Sequence, residues 1–322
     1  MEHQANLYDF DKKLVQPFSW KNYNRSQTAE KRLFIKLLDE LTDTLSVPHK
    51  HKVFCMCLKT YLNTSSRRLI SDLAMARQAK LIEKVPHFNT VLNYFNDNAL
   101  RPVLKHLIEL SAVPLAQLER RYAVDSSGIG AHQYEPWKSI RDKHNLHRKY
   151  KKFHCIYGVL SNVVVSCKVT KGTAGDSPRF QELLENAARN FTIEEVSADL
   201  AYSSRNNLQA VVNLGAIPYI PFKKNATGRS GGKMIWRQMY NYFKNHQEEF
   251  LKHYHLRSNA ETGFFMIKQK FGEFVRSKND TSQENEIYCK VLCHNICCLI
   301  QEMFLSNVEV NFLNCKEAFI EG

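Results

Sequence analysis

The spacing of apolar side chains divides the chain in two. Up to about residue 112, Leu, Ile, Val, Phe and Met recur every three or four positions, in 31–45 (KRLFIKLLDELTDTL), 53–63, 66–82 and 87–112. An apolar face repeating every 3.6 residues predicts amphipathic helices, so this part reads as all-helical. Pro114 and the charged Glu119-Arg120-Arg121 precede a change of texture. Beyond them the apolar residues run together or alternate, predicting strands at 122–129, 153–160, 162–170, 195–199 and 217–222, with helices at 178–190 and 204–214. Two or three more helices are expected to finish the chain, after a flexible loop at 223–233 (KKNATGRSGGK). Three strands in a row followed by strand and helix in alternation predict an α/β fold, a mixed sheet covered by helices and preceded by an all-helical N-terminal region. The expected organisation is a helical region over 1–115, an α/β domain over 116–305 and a tail over 306–322.

Composition narrows the class. A chain of 322 residues with 43% apolar content buries a sizeable core. Lys and Arg number 45 against 32 Asp and Glu, a formal charge of +13, which points to an anionic partner and first of all to nucleic acid. No apolar run approaches the roughly 18 to 20 residues a membrane-spanning helix needs, so no membrane segment is expected. The opening MEHQANLYDFDKK lacks the apolar stretch of a secretion signal, and nine Cys without framework spacing predict reduced, buried thiols, so the expected location is the cytoplasm. Cys289, Cys293 and Cys297, with His294, fall at helical spacing and read as a thiol-lined helix face, not a zinc site. Trp137 and Trp236 read as core anchors, and His49, His51, His253 and His255 as surface residues.

Three acids carry the candidate chemistry. Asp125 follows the apolar Tyr122-Ala123-Val124 and precedes Ser126-Ser127-Gly128, so it is expected where a strand ends; Asp199 repeats the arrangement in EEVSADLAYSSRNN. Strand ends of an open α/β sheet are where ligand sites form, although an Asp there also caps turns and helices. The third acid is Glu261. Tyr254, Arg257, Glu261 and Lys268 stand at offsets 0, 3, 7 and 14, within an arc of roughly 60° on one helical face. Ala260, Phe264, Ile267 and Phe271 form the adjoining apolar stripe by which such a helix would dock on the sheet. The same spacing also fits a solvated face with an Arg257–Glu261 pair.

The pattern Y-x2-R-x3-E-x6-K, filled by Tyr254, Arg257, Glu261 and Lys268, resembles the signature of a large group of insertion-sequence DDE transposases of bacteria and archaea. The contexts AVDSSGI, GTAGDSPRFQELLE, SADLAYSSRNN, FFMIKQKFGEFVRSK and KVLCHNICCLIQ resemble that group in the same order, over about residues 120–305. The resemblance implies a ribonuclease-H-like catalytic domain in which Asp125, Asp199 and Glu261 bind two Mg²⁺ ions, Mn²⁺ being the alternative. It implies Tyr254, Arg257 and Lys268 as contacts to the phosphates of the element end. The expected partner is double-stranded DNA, both the inverted repeats of the element and the target, bound by a homodimer associated with the nucleoid. The activity implied is cleavage at the element ends and joining to target DNA. A metal-dependent nuclease of the same fold and an inactive DNA-binding relative are the alternatives. Only about thirty residues separate Phe222 from Tyr254, where members of the group often carry a large insertion.

Basic residues surround these acids in the sequence. The run Lys138, Arg141, Lys143, His144, His147, Arg148, Lys149, Lys151 and Lys152 follows the first acid, and Lys223, Lys224, Arg229 and Lys233 precede the Glu261 stripe. Such clusters suit phosphate backbone, giving affinity and salt dependence without sequence reading. In the N-terminal part, 66–82 and 87–95 suggest two helices joined by a turn. A helix-turn-helix would put Arg77, Lys80, Asn89 and Asn93 at a DNA groove, while a plain helical or dimerisation region fits the same residues.

Overall fold

The computed structural model describes residues 18–131, 150–229 and 231–312. Trp137, the basic residues from Lys138 to Lys149, among them Arg148 and Lys149, and residues 313–322 lie outside the described residues.

Among the described residues five helices precede the sheet: α1 (Trp20–Thr42), α2 (Val47–Tyr61), α3 (Ser66–Gln78), α4 (Phe88–Phe95) and α5 (Leu100–Ala112). The single helix expected over 87–112 is divided between α4 and α5. Asp97 turns its carboxylate to the Ala99 backbone N–H, and the carbonyls of Phe95 and Asp97 accept from the Asn285 amide, so the chain leaves the helix without orphaned groups. Helices α3 and α4 pack on each other, with the Arg67 guanidinium 4.9 Å from the Phe88 ring centre. Nine residues, 79–87, connect them, far more than the three or four of a helix-turn-helix. Arg77, Lys80, Asn89 and Asn93 are all exposed.

The sheet holds β1 (Arg121–Gly130), β2 (Tyr150–Gly158), β3 (Val164–Lys171), β4 (Glu195–Ala198) and β5 (Ile217–Tyr219) in the order β3-β2-β1-β4-β5. Strands β1, β2 and β3 pair antiparallel, whereas β4 and β5 join parallel, as the three consecutive strands and the later alternation predict. Helices α6 (Phe180–Ala188) and α7 (Arg205–Asn213) make the crossovers. Among the described residues four helices, where two or three were expected, follow: α8 (Met234–Asn245), α9 (Gln247–Tyr254), α10 (Ser258–Phe271) and α11 (Asp280–Leu305). This mixed five-stranded sheet, covered by helices and preceded by a helical region, is a ribonuclease-H-like α/β fold. Among the described residues no helix is long and apolar enough to cross a membrane.

Helix α11 organises the core. It is buried along most of its length and packs on α1, α2 and α5 as well as on β3, so the N-terminal helices and the sheet share one continuous apolar core. Strand β3 is an edge of the sheet, and α11 covers it: Asn295 accepts from the Val164 N–H and donates to the Val164 carbonyl, and the Tyr288 hydroxyl accepts from the Val169 N–H. Cys57, Cys289 and Cys293 are buried free thiols in this core, and Trp236 is buried with its indole N–H on the Thr227 carbonyl, as expected. Glu119, expected in a charged connection, is fully buried instead, where its carboxylate accepts from the backbone of Leu160 and Ser161. The 223–233 segment is tied down by Arg205, which donates to the Arg229 carbonyl.

Candidate active site

Strand β1 pairs with β4 only from Arg121 to Val124, while against β2 it runs on to Gly130. The sheet therefore splits at Asp125, and Asp199 is the residue immediately after β4. Asp125 is thus not at the end of its strand but where the parallel pairing stops. The Val124↔Ala198 register sets the two acids at the same level, and alternation of side chains turns both to the sheet face covered by α9 and α10. Asp125 Oδ1 accepts the Ser126 backbone N–H at 2.8 Å, and Asp199 Oδ1 accepts that of Ala201 at 2.8 Å.

Helix α10 brings the third acid. Its apolar stripe of Ala260, Phe264, Ile267 and Phe271 is buried, with the Phe264 ring edge-on to Phe153 at 4.8 Å and Tyr157 at 5.1 Å. A Cβ on Gly263 would fall 2.3 Å from the Tyr157 ring, so only glycine allows this approach. Gly272, at φ 85°, ends the helix, and the Gly130 N–H then donates to the Glu273 carbonyl while the Val275 N–H donates to the Gly130 carbonyl, which fastens the following segment to the end of β1. Lys290 Nζ donates to the Gly272 and Phe274 carbonyls at 2.8 and 2.7 Å.

The Tyr254–Lys268 stripe is not one helix. Tyr254 closes α9, a 3₁₀ turn over His255–Arg257 follows, and α10 begins at Ser258. The turn lies against β1 and β4, at the split. From it Arg257 Nη1 reaches Asp125 Oδ2 at 2.9 Å and Nη2 reaches Glu261 Oε1 at 2.6 Å, so one guanidinium bridges two of the three acids. The Arg257 group also lies 6.0 Å from the Tyr254 ring centre. Lys268 Nζ donates to Ser127 Oγ at 2.7 Å.

The electrostatics match this crowding. Burial pushes the Asp125 carboxyl upward; the Ser126 N–H and Arg257 oppose it, and the charges of Asp199 and Glu261 add to it. Burial opposes the Arg257 charge, but Glu261 and Asp125 outweigh it and hold the guanidinium above its ordinary value. Burial lowers Lys268. Three carboxylates supply the hard oxygen donors that Mg²⁺ or Mn²⁺ requires. Among the described residues no three acidic, Cys or His side chains are yet gathered tightly enough to hold an ion; the donor chemistry fits, and the Arg257 bridge occupies the gap.

Other expected contacts separate into two sets. Lys223 and Lys224 are exposed. Lys151 is buried, its ammonium 2.8 Å from Asp280 and 3.3 Å from Glu284, so the structure makes it a strut between β2 and α11 and not a cation facing solvent. His253, expected at the surface, pairs at 2.8 Å with the buried Glu195 and stacks on Tyr219, pinning α9 to the sheet. Sequence reasoning also passed over Asp176, which accepts from Ser126 Oγ at 2.8 Å and pairs with Lys152 at 2.6 Å on the opposite sheet face from Asp125. In the sequence it is the acid within GTAGDSPRF, beside the first acid's strand only once the sheet has formed.

A family model for the transposase DDE domain matches residues 116–296, more than half of the chain, and the chain belongs to that family. No curated protein and no solved structure matches it. Membership makes the protein a transposase that acts on DNA.

Proposed function

We propose that the chain cuts DNA at the ends of an insertion sequence and joins those ends to target DNA, and that it belongs to the group marked by the Tyr254, Arg257, Glu261, Lys268 signature. The observation that supports this reading is the placing of Asp125 beside Asp199 at the split of the sheet, with Arg257 joining Asp125 to Glu261, inside the family match. In it, Asp125, Asp199 and Glu261 hold two divalent ions, Mg²⁺ or Mn²⁺. When bound, such ions activate the attacking oxygen and stabilise the oxygens entering and leaving phosphorus. Water attacks the phosphodiester at the element end and releases a 3′-hydroxyl; that hydroxyl then attacks a target phosphodiester in line and displaces a target 3′-oxygen. Arg257 presents a planar fork to a terminal phosphate, Lys268 a point charge, and Tyr254 flanks them. Lys223, Lys224, Arg148 and Lys149 extend the phosphate contacts, while burial removes Lys151 from that set. The helices before residue 115 bind element ends or a second copy, and the DNA complex holds a homodimer.

The test is cleavage and strand transfer of a duplex bearing the element's inverted repeats in Mg²⁺, beside a gel shift in Ca²⁺. Asp125→Asn, Asp199→Asn and Glu261→Gln should each lower cleavage by about 10³-fold or more without loss of DNA binding, and a double variant should be no worse than a single one. Normal cutting by Glu261→Gln alone would remove it from the triad. Cleavage without any joining would make the protein a nuclease.

A further inference from the structure

Arg257 is placed where a transposase needs a cation of another kind. Its two terminal nitrogens are divided between Asp125 on β1 and Glu261 on α10, at 2.9 and 2.6 Å. A divalent ion shared by these carboxylates would have to approach their oxygens to about 2.0–2.1 Å, from the same side as the guanidinium. Two positive groups cannot share that gap: each repels the other, and the acids' inward oxygens already accept N–H bonds. Asp125 and Asp199 do not depend on the arginine for their positions, since backbone N–H groups of Ser126 and Ala201 hold them, and Glu261 is fixed by its place on α10. Arg257 itself stands in the short His255–Arg257 turn with its side chain 21% exposed, beside solvent and one turn from Glu261, whose side chain is 60% exposed. A phosphate diester offers that fork a partner of equal charge and matching bidentate geometry.

We propose that Arg257 is an internal counter-cation that keeps Asp125 and Glu261 from closing on metal until a DNA phosphate draws it away. The inference rests on the reading of Asp125, Asp199 and Glu261 as the metal-binding acids. Metal loading and DNA binding are then linked through one side chain: phosphate removes a competitor from the acids, and by reciprocity metal frees the arginine for phosphate. The arrangement keeps a strand-cutting centre unloaded in the absence of its substrate.

Mn²⁺ binding to the full chain, followed by electron paramagnetic resonance without DNA, reads the competition apart from catalysis. Arg257→Gln keeps polarity and much of the length while removing the charge, and should bind Mn²⁺ about tenfold tighter than the unaltered protein. Asp125→Asn combined with Arg257→Gln should lose that binding. A 5′-phosphorylated duplex should tighten Mn²⁺ binding by the unaltered chain and leave the Arg257→Gln variant unchanged. Equal or weaker Asp125-dependent binding by Arg257→Gln overturns the inference while leaving the three acids as metal ligands. Absence of Asp125-dependent binding in every variant, with or without duplex, overturns the acid assignment and the inference together. The unaltered protein supplies a second readout that no folding defect disturbs. The slowly rotating guanidinium nitrogens of Arg257 in a ¹⁵N spectrum should be released when Mg²⁺ is saturating, and their persistence there overturns the proposal.

Discussion

Two buried histidines make the fold sensitive to mild acid. His154 on β2 is fully buried, its Nε2 2.9 Å from Thr170 Oγ1, and His294 on α11 donates to the Asn162 carbonyl at 2.8 Å. Burial holds both at about 4; for His154 it outweighs the opposing charge of Asp176. An unfolded histidine takes its proton near pH 6.5, so between 6.5 and 4 the unfolded chain binds more protons and stability falls as pH falls. Each histidine adds a slope approaching ~1.4 kcal/mol per pH unit in that window. Denaturant melts from pH 7 to 4.5 should show the loss, and His154→Gln should make it shallower; an unchanged slope would mean that His154 takes its proton alike in the folded and unfolded chains. The charged residues of this kind are the ones least legible in the sequence. Lys151 finds Glu284 across 133 positions, Ser126 finds Asp176 across 50 and His253 finds Glu195 across 58, and spacing along the chain carries no trace of such encounters. Arg257 and Glu261, four apart on adjoining turns, were legible for that reason.

At the scale of elements, α10 decides where the third acid stands. Its close approach to β2 depends on Gly263, which lies against the Tyr157 ring. Gly263→Ala gains up to about 1 kcal/mol of helix propensity but forces a Cβ into a buried aromatic ring. The clash wins, with an expected net loss of ~1–3 kcal/mol in urea unfolding and a larger relative loss in cleavage as Glu261 is displaced. Tyr157→Leu in the same chain should restore part of both, and failure to do so would place the strain elsewhere. The apolar stripe of α10 was readable from its period, and so was the order of the strands. The breaks at His246 and at His255–Arg257 were not, because no Gly or Pro marks them; the 3₁₀ turn is instead held by its packing on β1 and β4. Asp125 was expected where a strand ends, yet β1 runs on past it, over the 122–129 stretch whose apolar pattern predicts a strand, because β2 supplies a partner at every position.

For the whole molecule, the shared core sets what can be cut apart. Helices α1, α2 and α5 bury their apolar faces against α11, so a chain ending at residue 277 should lose the cooperative melt of the helical region and of the sheet together. The full chain should melt in one calorimetric transition. A cooperative transition in a 1–115 fragment would show instead that the helical region stands alone. The amphipathic pattern told which faces are apolar; it did not tell that the last helix returns to the first ones, because periodicity names a face and not its cover. The charge of +13 belongs to this scale as well. DNA affinity should fall linearly with the logarithm of salt concentration, with a slope near −0.9 for each phosphate engaged. Lys223→Ala with Lys224→Ala should make it shallower by up to about two such steps, and an unaltered slope would take these lysines off the DNA.

The place of α11 has a further meaning during synthesis. The Cys293 thiol donates to the Cys57 carbonyl across 236 positions of chain. At ~5–20 residues per second, the ribosome needs roughly 10–50 s to make that stretch. For all of that time the apolar side of α2 is outside or leaving the exit tunnel without the helix that covers it. The nascent chain therefore carries a bare apolar face until α11 has been made, the kind of surface that holding chaperones cover.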